Sequence, residues 1–256
     1  MTVRRFHAPI IPAAGGALPL SPEEGRHLVR VLRLHTGATI RIFDGNGREH
    51  EATVEQDDPR HVIVRVGNPI EPVPPPRIPV TLAVTLLKGR KLDDVVRDAT
   101  ALGVSAIVPV VSRRAGAAPG AGGRHLADRW RGVAIASAKQ CGSAVVPEVH
   151  APLAYESLLA NARSGDALRI LLLEPSAEAP AGTSRTGPAP LTSLRTEPAP
   201  PGAIVAIGPE GGWTPDEASL AIGAGFRPMS LGHRTLRADL VPVVALSILR
   251  SVWDDL

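Results

Sequence analysis

The sequence predicts an α/β protein in which a small β-rich domain precedes a larger domain built on a parallel sheet. Beyond residue 80, short unbroken apolar runs alternate with helical patterns, as expected for strands that are buried on both faces of a parallel sheet. Before residue 70, apolar and polar residues alternate around turn-forming dipeptides. The length of 256 residues also fits two domains, at about 150 residues each.

A proline-rich segment separates the two predicted domains. Six prolines lie between Pro69 and Pro79, and proline both fixes an extended backbone and lacks the N–H that a helix or a central strand needs. We therefore predict a β-rich domain over residues 1–70, a linker over 71–79 and an α/β domain over 80–256.

The composition excludes several classes of protein. Hydrophobic residues make up 44% and charged residues 21%, which is near the globular average, and no apolar run approaches the roughly 18 residues of a membrane span. The N-terminus lacks the apolar stretch of a secretory signal, so we expect a soluble cytoplasmic protein without a membrane partner. The single cysteine, Cys141, excludes an internal disulfide and a Cys-rich zinc site, so we predict no metal centre and expect this cysteine to be buried.

Charge is distributed unevenly along the chain. Residues 77–139 carry 11 basic against 4 acidic residues, residues 1–76 carry 9 of each, and residues 140–256 carry 8 basic against 12 acidic residues. This pattern indicates either a face that contacts a polyanion or a solvated arginine-rich surface. Aromatic residues are only 3%, which argues against stacking platforms for single-stranded nucleic acid.

A short basic helix is predicted in the first domain. Ser21 is a suitable N-cap, Pro22 suits the first helical position, and Glu24 lies at the third. The apolar face would carry Leu28, Val31 and Leu32. The other face would carry Arg26, Arg30 and Arg33, which either hold phosphates or are solvated.

Strands and helices alternate in the second domain. Strands are predicted at 80–87, 106–110, 145–149, 168–173, 204–207 and 229–231. Helices are predicted at 91–102, 126–140, 153–162 and 239–253, with a capping box at 214–217 opening another. Residues 175–202 lack periodicity and are interpreted as a loose connection.

The clearest ligand-binding motif is Gly208-Pro209-Glu210-Gly211-Gly212, between a predicted strand and the capped helix. Open α/β sheets bind ligands at the carboxyl ends of their strands. The motif matches neither the P-loop nor the dinucleotide fingerprint, and Glu210 would repel phosphate. The same carboxylate suits the sulfonium and ammonium groups of S-adenosylmethionine, whereas the alternative interpretation is an ordinary glycine turn.

Three more charged residues could line the same pocket. Glu174 directly follows a predicted strand, and Arg237 and Asp239 precede the last predicted helix. The alternative roles are a surface acid for Glu174, a surface charge for Arg237 and an N-cap for Asp239. Arg129, Arg131 and Lys139 lie on a basic helix that could contact a nucleic-acid backbone, while Trp130 is expected to pack in the core.

Six motifs lie in order along nearly the whole chain: Leu86-Leu87-Lys88-Gly89, Thr100-Ala101-Leu102-Gly103-Val104, Arg129-Trp130, Lys139-Gln140, Ile207 through Gly212, and Leu231-Gly232 through Leu236-Arg237. Taken together, they resemble the RsmE family, the small-subunit ribosomal RNA uridine-N3 methyltransferases of the SPOUT superfamily.

The resemblance implies a SPOUT-type α/β domain with a C-terminal trefoil knot, a PUA-like first domain and a homodimer. It also implies S-adenosylmethionine as cofactor and 16S ribosomal RNA of the small subunit as substrate. By position, the cofactor would be held by Leu172, Leu173, Glu174, Gly208, Pro209, Glu210, Gly211, Gly212, Leu231, Gly232, Leu236 and Arg237. The RNA would be held by Arg4, Arg5, Arg26, Arg30, Arg33, Lys88, Arg129, Arg131 and Lys139.

The implied catalytic residues are Arg237, Asp239 and Glu210. Arg237 would stabilise negative charge on the uracil oxygens, and Asp239 or Glu210 would accept the N3 proton. The chain differs from the family pattern at Ala101, at Ser143 and over 238–241. These changes motivate the alternative hypothesis of a catalytically altered RNA-binding or ribosome-associated protein. A third hypothesis is an unknotted nucleotide-binding enzyme.

Overall fold

A computed structural model of the chain describes residues 4–115, 123–175 and 187–255. These residues form two compact units. The first unit contains the described residues up to Pro75 together with Ile135–Val146, and the second contains those of Pro76–Ala134 and Pro147–Leu256. The division falls inside the predicted linker. The return of residues 135–146 to the first unit was not expected, because the helical pattern runs through residue 135 without interruption.

The first unit is a five-stranded sheet with one short helix. Its elements are β1 (Arg5–His7), β2 (Ala17–Pro19), α1 (Pro22–Arg26), β3 (Thr39–Phe43), β4 (Glu49–Asp58) and β5 (His61–Ile70). The strand order is β1-β3-β4-β5-β2, with β1 parallel to β3 and the other pairs antiparallel. Alternate residues such as Ile40, Ile42 and Val64 are fully buried, as the period of two predicts.

Helix α1 confirms its predicted start and differs at its end. The Ser21 hydroxyl accepts a hydrogen bond from the Glu24 N–H (3.2 Å), as an N-cap does. Beyond α1 the chain forms a π-helical turn, His27–Val31, in which Leu32 N–H donates to the His27 carbonyl (3.0 Å). The wider turn rotates Val31 away from the core, so this residue is 65% exposed rather than part of the apolar face.

Two cations that the resemblance assigned to RNA contact are bound inside the first unit. The Arg5 guanidinium donates to both carboxylate oxygens of Glu49 (2.9 and 3.0 Å) and to the Ala138 carbonyl (2.7 Å). The Lys139 ammonium donates to both oxygens of Glu24 (2.9 and 2.6 Å). The two side chains are 8% and 18% exposed. Arg5 and Lys139 therefore hold residues 135–146 in this unit, and their charges are occupied by these partners rather than available to RNA.

The second unit is an eight-stranded parallel sheet with helices. Its elements are β6 (Val80–Thr85), α2 (Lys91–Ala101), β7 (Ala106–Val111), the part of α3 (Gly123–Cys141) before residue 135, β8 (Glu148–Val149), β9 (Leu153–Ala154), α4 (Tyr155–Ala162), β10 (Leu168–Leu172), β11 (Ala189–Pro190), β12 (Ala203–Ile207), α5 (Pro215–Gly223), β13 (Arg227–Ser230) and α6 (Val241–Val252). The strand order is β11-β13-β10-β12-β6-β7-β8, and β9 also pairs with β7.

Most predicted elements of the second unit are present, with three corrections. The predicted helix 153–162 opens with β9, and the predicted strand 145–149 is regular only at β8. Residues 189–196 form β11 and a 3-10 helix (Leu191–Thr196) that buries Leu191 and Leu194, rather than a loose connection, whereas 197–202 have no regular structure. The rest of that segment, 176–186, lies outside the described residues. In the first unit, Cys141 is exposed, so its predicted burial is wrong.

Helices pack on the sheet and against each other. Helices α4 and α5 pack on one face, where Ala83, Leu171 and Ala206 of the sheet join their core. Helix α2 packs against α6. Within the described residues, no helix combines the length and the hydropathy needed to cross a membrane.

A buried ion pair holds the end of the chain. The Arg250 guanidinium donates to Asp255 Oδ2 (2.9 Å) and to the Ile78 carbonyl (2.7 Å), and both side chains are at most 4% exposed. Asp255 also accepts from the Arg77 and Ile78 N–H groups (2.7 and 3.0 Å). The last described residues are therefore fixed to the segment that leads into β6.

Candidate active site

Five loops meet at one edge of the parallel sheet. Strands β13, β10, β12, β6 and β7 are consecutive neighbours, and each is followed by a segment that lines a common cavity. Parallel strands place their carboxyl ends at the same edge, and strand order changes direction here because β10 lies between β12 and β13. The fold thereby brings together the motifs that sequence analysis found far apart.

The cavity has a volume of about 670 Å³, within the range that small-molecule sites occupy. All twelve residues assigned to the cofactor by resemblance line it, as does Asp239. Further lining residues include Lys91, Arg114, Ile207, Trp213, Arg234, Ala238 and Val241. Apolar walls combined with side chains of both charge signs suit a ligand that is part aromatic and part charged.

An indole ring joins the glycine loop to the neighbouring strand. Trp213 Nε1 donates to the Leu172 carbonyl at the end of β10 (3.2 Å). A Cβ added to Gly208 would lie 3.2–3.3 Å from this indole, which is tighter than ordinary van der Waals contact. Glycine at position 208 therefore allows the loop to lie close against the Trp213 ring, and the hydrogen bond from that ring fixes the position of the loop.

The end of the glycine loop is held by a capping box. The Thr214 hydroxyl accepts from the Glu217 N–H (3.2 Å), and the Glu217 carboxylate accepts from the Thr214 N–H (2.9 Å), as predicted. The same carboxylate accepts from the Arg113 N–H after β7 (2.8 Å). Gly212 has φ +65°, a conformation that glycine adopts without strain. The loop is thus anchored at both ends.

Glu210 forms an ion pair across the cavity edge. Its Oε1 accepts from Lys91 Nζ (2.8 Å), and the side chains are 32% and 35% exposed. The hydrogen bond from Lys91 is the main reason that the pKa of Glu210 lies below its ordinary value.

Arg237 and Asp239 form a second ion pair on the loop after β13. The guanidinium donates to Asp239 Oδ1 and Oδ2 (3.2 and 2.9 Å), with side-chain exposures of 75% and 21%. These hydrogen bonds hold the pKa of Asp239 below its ordinary value. The N-cap of α6 is Leu240, and no side chain caps that helix, so the predicted capping role of Asp239 is wrong.

Both candidate bases are therefore weaker than an ordinary carboxylate. A general base works best when its pKa lies near the working pH. Each carboxylate is already stabilised in its ionised form by a neighbouring cation. The geometry favours alignment and charge stabilisation over strong proton abstraction.

Sequence reasoning missed four residues that build this edge of the sheet. Lys91 and Trp213 bind the glycine loop as described, and Arg114 Nη1 donates to the Gly211 carbonyl (2.7 Å). Glu217 was recognised only as a cap. The sequence signal that could have identified these residues is their position, because each follows a predicted strand or the glycine loop. Their hydrogen-bond partners could not be read from the sequence, because they lie more than 40 residues away, apart from the Thr214–Glu217 cap.

Other predicted charges lie outside the cavity lining. Lys88 is exposed, whereas Arg129 donates to Asp93 and Arg131 to Asp128 Oδ1 (3.2 Å). Trp130 is 4% exposed, which confirms its packing role, and its Nε1 also donates to Asp93 (3.2 Å).

Glu174 lies beside Gly212 within the cavity. The described residues contain no cluster of three or more potential metal ligands.

Residues 74–250 match the family model for the RNA methyltransferase domain. The chain belongs to this RNA methyltransferase family. Residues 20–67 match the model for the PUA domain of RNA methyltransferases. The predicted fold class, an α/β methyltransferase domain preceded by a PUA-like domain, is confirmed.

Named relatives cover most of this RNA methyltransferase. Ribosomal RNA small subunit methyltransferase E of Synechocystis is 31% identical over 92% of this chain and 73% of its own length. The Mycobacterium bovis protein of the same name is 30% identical over 99% of this chain and 95% of its own. A Neisseria gonorrhoeae structure of that name, bound to S-adenosyl methionine, is 25% identical with a TM-score of 0.84, covering 98% of each chain.

Proposed function

We propose that this RNA methyltransferase transfers a methyl group from S-adenosylmethionine to N3 of a uridine in 16S ribosomal RNA of the small subunit. The observation that carries the proposal is the cavity at the carboxyl ends of five strands, lined by the glycine loop and by both ion pairs. Relatives that bear the name of a small-subunit ribosomal RNA methyltransferase support the substrate.

The residues present fit the cofactor. Leu172, Leu173 and the glycine loop would hold the adenosine part, and the charged cavity edge faces the sulfonium and amino-acid part. When bound, S-adenosylmethionine supplies a methyl group on a sulfonium, which is an activated leaving group. The glycine loop, held by Trp213 and Glu217, keeps its backbone in place for this ligand.

Arg237 is proposed to act on the target base. Its guanidinium is 75% exposed and is oriented by Asp239, so it can approach a uracil oxygen that gains negative charge as the N3 proton leaves. Asp239 or Glu210 accepts that proton only weakly, because their pKa values are lowered by Arg237 and Lys91. Holding the base in line with the methyl donor then contributes much of the rate.

The RNA surface is proposed to include the exposed arginines of the first unit. Arg4, Arg26, Arg30 and Arg33 are exposed, and cations of this kind bind phosphates without base specificity. In the second unit, Lys88, Arg129 and Arg131 remain candidates, the latter two after exchange of their carboxylate partners. Ribosomal RNA as substrate implies that the protein acts in the cytoplasm.

We also propose a homodimer and a trefoil knot, as in the family that the sequence resembles. Helix α6 leaves Val244 and Ile248 partly exposed, and Leu240 before it is 45% exposed. Such an apolar surface suits a second copy of the chain.

Sedimentation of the Ile248→Asp variant tests the dimer. A monomer is expected, and an unchanged mass would contradict an α6 interface.

The function is tested by methyl transfer from labelled S-adenosylmethionine to small subunits that lack the modification, with the product located by mass spectrometry. Label at uridine N3 is expected. Tight subunit binding without incorporation would favour the catalytically altered RNA-binding protein instead. Label elsewhere in the RNA would support methyltransferase activity but contradict uridine N3 as the target.

The Glu210→Lys variant is expected to bind S-adenosylmethionine more than about tenfold more weakly. The new ammonium would stand beside Lys91 and face the positive groups of the cofactor, where like charges repel. Calorimetry measures the affinity. Asp216→Lys is the matched control, since Asp216 is exposed and outside the cavity lining. Unchanged affinity in Glu210→Lys would contradict the role assigned to Glu210.

A further inference from the structure

The two ion pairs at the cavity differ in their exposure to solvent. In the Lys91–Glu210 pair both side chains are about two-thirds covered, whereas in the second pair Asp239 is 21% exposed but its cation, Arg237, is 75% exposed. Charges that are partly covered are screened less by water and salt. The Lys91–Glu210 pair is therefore the better placed of the two to hold charged groups of a ligand within the cavity.

The chain holds the members of this pair on separate but adjacent supports. Lys91 is the first residue of α2, which follows β6, and Glu210 lies in the glycine loop that follows β12. Strands β6 and β12 are hydrogen-bonded neighbours, with Val84 opposite Ile207. The pair thus presents a positive and a negative group, 2.8 Å apart, from two fixed backbones.

Each group retains hydrogen-bonding capacity for a ligand. An ammonium has three donors, of which one serves Glu210 Oε1, and a carboxylate offers about four acceptor positions. A ligand with a single charge would be attracted by one member of the pair and repelled by the other. A ligand that carries an adjacent carboxylate and ammonium satisfies both.

We propose that Lys91 and Glu210 together bind the α-amino-acid zwitterion of the cofactor, with Lys91 donating to its carboxylate and Glu210 accepting from its ammonium. The inference rests on the proposed function, adds to it a binding role for Lys91, and leaves Asp239 as the acceptor of the N3 proton because Glu210 is bound to the cofactor. The amino acid is unchanged by methyl transfer, so the pair binds the substrate and product forms of the cofactor alike. Loss of Lys91 therefore affects the cofactor KM more than kcat.

Calorimetry with two probes tests the proposal without catalysis. S-adenosylhomocysteine carries the amino acid, and methylthioadenosine lacks it. The Lys91→Met variant is expected to bind S-adenosylhomocysteine about 10- to 100-fold more weakly, as for loss of a charge-assisted hydrogen bond, and methylthioadenosine within about twofold of wild type. Arg90→Met is the matched control, because Arg90 is the adjacent cation and does not line the cavity.

A charge-exchanged variant separates binding from structure. Lys91→Glu combined with Glu210→Lys restores an ion pair but places its charges in the opposite order. Weak binding of S-adenosylhomocysteine to this double variant is expected, whereas restored binding would show that the pair only supports the loop.

The other outcomes are equally distinct. Equal weakening of both probes in Lys91→Met, or no weakening of either, would overturn the proposed role of Lys91. Failure of the wild-type protein to bind either probe would instead overturn the proposed cofactor, and with it the proposed function.

Discussion

Replacing Arg237 with alanine is expected to lower kcat for methyl transfer about 100-fold or more. Removing one group that stabilises charge in a transition state has effects of this size. Affinity for S-adenosylhomocysteine should change little, since the guanidinium, although it lines the cavity edge, is mostly exposed and already paired with Asp239, which favours the RNA base over the cofactor as its partner. Single-turnover transfer to small subunits measures the rate, and calorimetry measures the affinity.

Arg234→Ala provides the comparison for this effect. Arg234 is an exposed cation of the same loop and lines the same cavity. If both variants lose activity equally, and if added salt reduces the wild-type rate to the same extent, then Arg237 contributes only general attraction for RNA. A loss confined to Arg237→Ala supports its action on the target base.

The Asp255→Asn variant is expected to lose about 3 kcal/mol of unfolding free energy, as when one partner of a buried ion pair is removed. The Arg250 guanidinium would remain buried without its counter-charge, although three backbone carbonyls would still accept from it. Chemical denaturation measures the change. Asp254→Asn removes the same charge from the exposed neighbouring residue, and an equal loss there would contradict the importance of the pair.

The same carboxylate predicts how stability depends on pH. Burial alone would raise the pKa of Asp255, but the Ile78 and Arg77 N–H groups and the Arg250 guanidinium hold it below its ordinary value. Its contribution is therefore complete above the unfolded-state pKa, which is about 4, and is lost as pH falls through the lower folded-state pKa. The stability difference between wild type and Asp255→Asn should shrink below about pH 4.

Local signals in the sequence predicted the positions of the site but not its pairings. The Thr214–Glu217 box and the apolar runs before Glu174 and Gly208 depend on neighbours within a few residues, so they could be identified from the sequence. Asp239 had an equally good local role as an N-cap. Its hydrogen bonds to Arg237 displaced that role, since one more turn of loop precedes α6.

Residues that act over long sequence distances escaped prediction. Arg5 looked like a terminal surface cation until its partners, Glu49 and Ala138, were found 44 and 133 positions away. Lys91 pairs with Glu210 across 119 positions. Composition and periodicity carry no information about such pairings, which depend on strand order.

The return of residues 135–146 to the first unit determines when that unit can form. Phe43 is buried against Ala138 and Ala144, and Arg5 and Glu24 find their partners in the same stretch. A fragment that ends at the proline-rich segment would expose this apolar contact, leave Glu24 without its partner Lys139, and remove the Ala138 carbonyl that accepts from Arg5. During synthesis the first unit is therefore complete only after β6, α2, β7 and the first part of α3 have been made, so the first part translated is not the first part completed.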